Sequence, residues 1–117
     1  MTESLGPDQR IRKSRGFQTL FKNGRFVRGK VLRIWTLEDP EGKTKVGVIV
    51  SRKTDLRATR RNLWKRRIRE AFRRNQTKIK NNTAVLIQAA KGLEKIPSYQ
   101  EIQAELLELL AKSGCLK

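Results

Sequence analysis

The spacing of hydrophobic residues changes several times along this chain, and each change marks a predicted element. Near the N-terminus, Phe17, Leu20 and Phe21 recur at helical spacing and form one apolar stripe. Ser14 is a suitable cap residue before the stripe, and Gly24 is a natural terminator after it. The pattern predicts a short first helix.

Two stretches with strand character follow. Residues 26–37 are rich in Val, Ile, Leu and aromatic side chains, which favour extended structure, and Gly29 can divide this stretch in two. Residues 38–42 have the composition of a turn, and residues 45–51 form a second apolar stretch. We expect the two stretches to pair as an antiparallel hairpin.

Beyond residue 55 the apolar spacing becomes helical. Six apolar residues share one side of a helix that extends to about residue 74: Ala58, Leu63, Trp64, Ile68, Ala71 and Phe72. Asn81 and Asn82 interrupt this pattern, and residues 83–88 form a nearly continuous apolar run that suits a central strand. A helix between two strands normally connects parallel strands, so this part of the chain predicts a parallel βαβ crossover.

The C-terminal segment predicts a last helix. Ser98 and Glu101 have the spacing of a capping box, and Gly114 can follow the last turn. Four apolar residues between them share one face: Ile102, Leu106, Leu109 and Leu110. The order helix, strands, helix, strand, helix indicates a single α+β domain in which helices cover a small sheet.

The net charge of the chain limits the kinds of partner that it can bind. The chain carries 28 Lys and Arg against 11 Asp and Glu, a formal net charge of +17. Such a charge favours a polyanionic partner, because each neutralised phosphate releases condensed counterions. Residues 9–37 hold nine bases and no acid, residues 57–74 hold nine bases and one acid, and residues 93–117 are nearly neutral. We expect the first two segments to meet nucleic acid and the third mainly to pack.

Other functions are disfavoured. No apolar run approaches the ~20 residues of a membrane-spanning helix, and the first residues lack the regions of a secretory signal, so we expect a cytoplasmic protein without membrane contact. The chain has no His and one Cys, and its carboxylates form no convincing two-metal pair. We therefore expect no catalytic and no metal-binding residue. Residues 1–9 are expected to form a flexible tail, and residues 10–117 a single RNA-binding domain.

The predicted central helix carries a cationic side. Arg61, Lys65 and Arg69 are spaced i, i+4, i+8, and Asn62, Arg66 and Arg73 extend this side. Like charges at this spacing repel, each pair costing a few tenths of a kcal/mol in an isolated helix. A merely solvated charged face is the alternative, but the near-absence of compensating Glu favours contact with phosphates.

Aromatic residues are interleaved with bases in the acid-free segment. Phe17, Phe21 and Trp35 could stack on unpaired bases, each stack contributing ~1 to 3 kcal/mol. Burial of all three rings in the core is the alternative, and the spacing by itself favours it.

The central segment closely resembles the signature of the bacterial ribonuclease P protein family. The matching positions are Ala58, Arg61, Asn62, Lys65, Arg66, Arg69, Glu70 and Arg73. The resemblance extends to residues 10–14, Phe17, Phe21, Gly24, residues 27–29, residues 45–47 and residues 51–53, and so covers most of residues 10–90. Two positions depart from the family: Leu63 stands where a base is usual, and Trp35 where a smaller aromatic is common.

The resemblance implies a fold and a role. The fold is an α+β two-layer sandwich with a small mixed four-stranded sheet, similar to a ribosomal protein domain, with a left-handed βαβ crossover. General rules predict a right-handed crossover. The implied role is a non-catalytic protein subunit of an RNA-based endoribonuclease, with Mg²⁺ bound mainly by the RNA and no obligate protein partner. A ribosomal or other structural RNA-binding protein and a self-sufficient protein nuclease are the alternatives.

Two sets of residues are implied by this resemblance to contact RNA. The catalytic RNA subunit would meet Arg60, Arg61, Asn62, Lys65, Arg66 and Arg69. The single-stranded leader of precursor tRNA would meet Phe17, Phe21, Trp35, Arg52 and Lys53.

Overall fold

The computed structural model describes residues 15–39, 42, 44–91 and 93–117, without the side chains of residues 15–17. Its elements are α1 (Arg15–Asn23), β1 (Arg25–Arg28), β2 (Leu32–Glu38), β3 (Lys45–Ile49), α2 (Ala58–Asn75), β4 (Thr83–Ala89) and α3 (Tyr99–Lys112), with a 3₁₀ turn at Gln76–Lys78. The predicted tail, residues 1–9, and the predicted cap residue Ser14 lie outside the described residues.

The four strands form one sheet in the order β1-β2-β4-β3. β1 pairs with β2 and β2 with β4 in antiparallel fashion, while β3 and β4 are parallel. Gly29 lies between β1 and β2, so the predicted division of the first stretch is confirmed. The predicted hairpin between residues 26–37 and residues 45–51 is wrong, because β4 lies between them. β4 is apolar on both faces, and a strand of that kind is most stable at the centre of a sheet.

Helices α2 and α3 cover one face of the sheet and form the main core with it. From α2, Trp64, Ile68, Ala71 and Phe72 are buried as predicted, whereas Leu63 is half-buried and Ala58 is exposed. From the sheet, the alternate residues Leu32, Ile34, Val85 and Ile87 enter this core. The α+β fold with a mixed four-stranded sheet and a parallel β3–α2–β4 crossover is confirmed. The left hand of that crossover stays a prediction.

The first helix lies on the opposite face of the sheet. Leu20 is buried there against Ala84 and Leu86 of β4, and Trp35, Leu37 and Ile49 pack around this second cluster. Because α1 is only nine residues long, it covers part of this face. The part beside α1 carries the aromatic and basic side chains described below.

Helix ends follow the predicted signals, with one difference in cause. The Ser98 hydroxyl accepts a hydrogen bond from the Glu101 amide at 3.2 Å, and Gly114 has a φ of +73° after the last turn of α3. At Gly24 the requirement is close approach: a Cβ there would lie 2.4 Å from the Leu20 carbonyl oxygen. A side chain at position 24 therefore clashes with backbone.

A carboxylate on α3 holds the turn between β1 and β2. The side chain of Glu105 accepts hydrogen bonds from the backbone amides of Lys30, Val31 and Leu32 at 2.8, 2.7 and 2.6 Å. Gly29 allows this approach, because a Cβ at that position would lie 2.4 Å from the Glu105 carboxyl carbon. A contact between residues more than 70 apart in sequence thus sets the shape of the turn.

No helix among the described residues is long and apolar enough to cross a membrane.

Candidate nucleic-acid interface

Three aromatic rings meet on the sheet face that α1 only partly covers. The Phe21 ring from α1 meets Trp35 edge-on, with centroids 4.6 Å apart and an interplanar angle of 79°. The Phe26 ring from β1 lies 4.9 Å from Trp35 at a tilt of 36°. Phe21 is 45% exposed and Phe26 is 49% exposed, so the cluster presents aromatic surface to solvent. We call Phe21, Phe26 and Trp35 the aromatic cluster.

The strand register explains why Phe26 joins the cluster. Phe26 of β1 is directly opposite Trp35 of β2, and directly opposite residues place their side chains on the same face. The sequence-based set of aromatic residues missed Phe26, since the register was unknown; its position in the strand after Gly24 was the available signal. Phe17 lies one helical turn before Phe21 on α1, and its side chain is outside the described set.

A polar row adjoins the aromatic cluster on the same face. Two residues along each strand from the cluster, Arg28 of β1 pairs with Arg33 of β2, which in turn pairs with Gln88 of β4. Arg28 is exposed, and Arg33 and Gln88 are half-buried. Sequence reasoning did not select these three residues, because their alignment across three strands depends on the sheet order. We call them the polar row.

The turn after β3 brings the two predicted basic residues to the same end of the sheet. Arg52 and Lys53 are exposed within this turn. The turn is held against β4 by the Thr54 hydroxyl, which donates to the carbonyl oxygen of Ala89 at 3.3 Å. Ala89 directly follows Gln88 of the polar row, so the basic turn lies at the same end of the sheet as the polar row.

A second surface lies on the outer side of α2. Asn62, Arg66 and Arg69 are exposed and Lys65 is half-buried, on the side of the helix opposite the buried Trp64. Within the described ranges, none of these four side chains makes a hydrogen bond or ion pair with another group of the chain. Their spacing of three and four residues forms one stripe along the helix. We call these four residues the α2 stripe.

The two arginines before the α2 stripe have internal partners. The Arg60 guanidinium pairs with the Asp55 carboxylate through Nε, and its Nη2 donates to the Glu94 carbonyl oxygen at 3.3 Å. Arg61 Nη1 donates to the carbonyl oxygens of Asp55 and Leu56 at 3.0 and 2.9 Å. The structure therefore divides the predicted RNA-facing set: four members are unengaged in the described part, and two bind the loop that precedes α2.

Other arginines of α2 also serve the fold. Arg67 donates to the Pro97 carbonyl oxygen at 2.7 Å and so ties α2 to the segment before α3. Arg73 and Arg74 both pair with Glu70, which confirms the interpretation of Glu70 as an ion-pair partner within the helix. Arg60 and Arg67 are two nearby residues that could replace the base absent at position 63, and both bind groups within the chain.

These ion pairs shift the titration of the acids involved. The hydrogen bond from Arg60 lowers the pKa of Asp55 below its usual value, and the Arg57 amide adds to this effect. The hydrogen bonds from Arg73 and Arg74 lower the pKa of Glu70, and the Glu70 carboxylate raises the pKa of Arg74. Both acids stay ionised at neutral pH, so Asp55 and Glu70 each offset positive charge on the arginines that they pair with.

Fold and surface together define the class of protein. It is a small, strongly basic α+β protein whose surfaces, one rich in exposed rings and one in unengaged cations, suit a polyanion with aromatic bases. Comparison with known proteins specifies the family: the family model described as Ribonuclease P matches residues 5–114. The chain belongs to the ribonuclease P protein family. It is accordingly a protein component of ribonuclease P, the endoribonuclease of tRNA 5′ maturation, and its membership implies partnership with the ribonuclease P RNA.

Individual relatives agree with this assignment. A ribonuclease P protein component from a Picosynechococcus species is 34% identical over 93% of each chain. The solved structure of the Staphylococcus aureus RNase P protein is 27% identical and superposes with a TM-score of 0.81 over 93% of this chain and 98% of that one. The RNase P protein from Thermotoga maritima is 29% identical, with a TM-score of 0.78 over 88% of this chain and 96% of that one. The two structural superpositions cover 93% and 88% of this chain, so the similarity extends over most of the fold described above.

Proposed function

We propose that this chain acts in ribonuclease P by binding RNA at two surfaces, while the RNA subunit performs the hydrolysis. The α2 stripe binds the catalytic RNA, and the aromatic cluster with the polar row binds the leader of precursor tRNA. The observation that carries this proposal is the α2 stripe itself. Its cations are aligned, solvent-accessible and without partners in the described part of the chain, an arrangement that repels itself until an anion binds.

The second surface supports a single-stranded ligand. Exposed rings stack on unpaired bases whatever their identity, and each stack contributes ~1 to 3 kcal/mol. Since Phe21 and Trp35 are nearly perpendicular, one base cannot lie parallel to both rings. The smaller tilt between Phe26 and Trp35 favours stacking on that pair, with Phe21 closing the side of the site. Arg28 and Arg33 of the polar row are then available for the adjoining phosphates.

Selectivity for the precursor follows from this arrangement. Mature tRNA has no leader, so it gains nothing from the aromatic cluster, whereas precursor tRNA gains the stacking and phosphate contacts. We expect the chain to work in the cytoplasm, where tRNA matures. Mg²⁺ is expected on the RNA, whose phosphate oxygens are the hard ligands this ion prefers. In the described residues, no three His, Cys, Asp or Glu side chains are grouped so as to hold a metal ion.

Salt-dependent affinity tests the α2 stripe. Arg66→Ala and Arg69→Ala should each weaken binding of the full-length chain to ribonuclease P RNA and reduce the slope of log K against log salt by about 0.7–0.9 per lost phosphate contact. Lys112→Ala on α3 removes the same charge from an exposed site and is the matched control. Equal slopes for all three variants would contradict the assignment.

Substrate discrimination tests the aromatic cluster. Trp35→Ala and Phe26→Ala should weaken binding of precursor tRNA by the reconstituted holoenzyme by roughly tenfold each, because each removes about one stack. Binding of mature tRNA should stay unchanged. Equal losses for precursor and mature tRNA would show that these rings act on the fold or on the RNA subunit instead.

Reconstitution separates this role from that of a self-sufficient protein nuclease. Cleavage of precursor tRNA by the chain with ribonuclease P RNA, and its absence when that RNA is omitted, is the expected result. Cleavage by the chain without RNA would overturn the proposed division of labour.

A further inference from the structure

Leu56 is the most exposed large hydrophobic residue of the described chain. It lies in the loop between β3 and α2, two residues before the helix begins, and is 84% exposed. Isolated apolar residues are common on protein surfaces and need no special explanation. The feature that sets Leu56 apart is the way its loop is held.

Four hydrogen bonds fix the backbone on both sides of Leu56. Arg61 Nη1 donates to the carbonyl oxygens of Asp55 and Leu56 at 3.0 and 2.9 Å. The Asp55 carboxylate accepts from the Arg57 amide at 3.0 Å and pairs with the Arg60 guanidinium. The loop therefore holds Leu56 outward before any partner arrives, and a partner does not have to order it.

The surroundings of Leu56 are cationic. Arg52, Lys53 and Arg57 are exposed in the same connection, and the carboxylate of Asp55 is already engaged by Arg60. A partner that complements this site offers negative charge together with an apolar surface. An RNA segment with an unpaired base has both properties, and apolar side chains are known to pack against or between bases. The α2 stripe begins within two turns of Leu56, so the same RNA can reach both.

We propose that Leu56 packs on an unpaired base of the ribonuclease P RNA, and that Arg60 and Arg61 are positioning residues that present it. In this assignment neither arginine is a phosphate ligand, although both lie next to the α2 stripe. The inference rests on the proposed function, because it requires α2 to face that RNA.

Binding to ribonuclease P RNA at several salt concentrations tests the inference. Leu56→Ala should weaken the affinity of the full-length chain about tenfold, the typical effect of losing a well-packed leucine contact, and by the same factor at every salt concentration. Arg61→Ala should weaken it similarly with an unchanged salt slope, and the double variant should be little weaker than Arg61→Ala alone. Leu93→Ala, at another partly exposed leucine, is the matched control and should bind like the wild type.

The outcomes separate the two levels of the proposal. Wild-type affinity for Leu56→Ala, while Arg66→Ala is weakened, would overturn this inference and leave the proposed function standing. Leu56 would then contact a protein or have no binding partner. A slope reduced by about 0.7–0.9 in Arg61→Ala would show a phosphate contact and overturn the positioning role. Lack of RNA binding by the wild type, or of any effect of Arg66→Ala, would contradict the proposed function itself. Thermal unfolding of each variant shows whether the fold is kept, and Leu56→Ala should keep it because its side chain is 84% exposed.

Discussion

Removal of the Glu105 carboxylate tests how α3 shapes the turn between β1 and β2. Glu105→Ala leaves three backbone amides of the β1–β2 turn without their acceptor. The Lys30 amide is exposed and can bind water, whereas those of Val31 and Leu32 are partly buried. With about 1–3 kcal/mol for each of these two partly buried donors left unsatisfied, the free energy of unfolding should fall by about 2–6 kcal/mol. Glu105→Gln keeps one acceptor oxygen and should lose less.

Gly29 provides a second route to the same loss. A Cβ at position 29 would lie 2.4 Å from the carboxyl carbon of Glu105 and 2.7 Å from both its oxygens, so Gly29→Ala must displace the carboxylate. If displacement of that carboxylate is the cause, Gly29→Ala should cost much less in the Glu105→Ala background than in the wild type. The two substitutions are then coupled, as expected for residues in contact.

Urea unfolding at constant m-value measures these losses. Glu108→Ala is the matched control, since Glu108 is exposed on the same helix and pairs only with Lys112 among the described residues; it should cost less than about 1 kcal/mol. Equal stabilities of Glu105→Ala and Glu108→Ala would refute the role of the carboxylate. Strict additivity of Gly29→Ala and Glu105→Ala would refute the steric explanation.

Three further predictions concern local features. Because the folded pKa of Asp55 is below its ordinary value of 3.8, its ionised form stabilises the fold above about pH 4, and this contribution is lost as the pH falls through the folded pKa. Asp55→Asn should therefore flatten the fall in melting temperature between about pH 5 and pH 2, and an unchanged pH profile would contradict the pair with Arg60. Ser98→Ala should cost about 1 kcal/mol in urea unfolding, and Ser98→Asp, which can still cap, should restore most of it. Gly24→Ala should destabilise by about 1–3 kcal/mol through its clash with the Leu20 carbonyl, and wild-type stability would show that the chain relaxes there.

Much of the architecture was predictable from local patterns. The four-residue spacing of Trp64, Ile68 and Phe72 identified the buried side of α2, and the same periodicity placed the cations on the other side. The apolar run of β4 indicated a central strand. Such predictions succeed because burial leaves a period in the sequence, 3.6 residues for a helix and two for a strand.

Local patterns did not reveal which residues meet across the fold. Phe26 joins Trp35 through strand register, and the polar row requires β2 and β4 to be neighbours, which the expected hairpin excluded. Arg61 and Arg66 are the same residue type on the same predicted cationic side of the helix. Only the folded loop gives Arg61 carbonyl oxygens to bind.

The sequence by itself determined the charge, the amphipathic helices, the apolar strands and the resemblance to a family. Tertiary structure decided the sheet order, the membership of the aromatic cluster, and which arginines remain available to a partner. The physical reason is the range of the interactions. The apolar period of a helix or strand lies within that element, so it can be read from the sequence. Contacts such as that of Glu105 with the Leu32 amide join residues 73 apart, and they exist only once the helices have packed on the sheet.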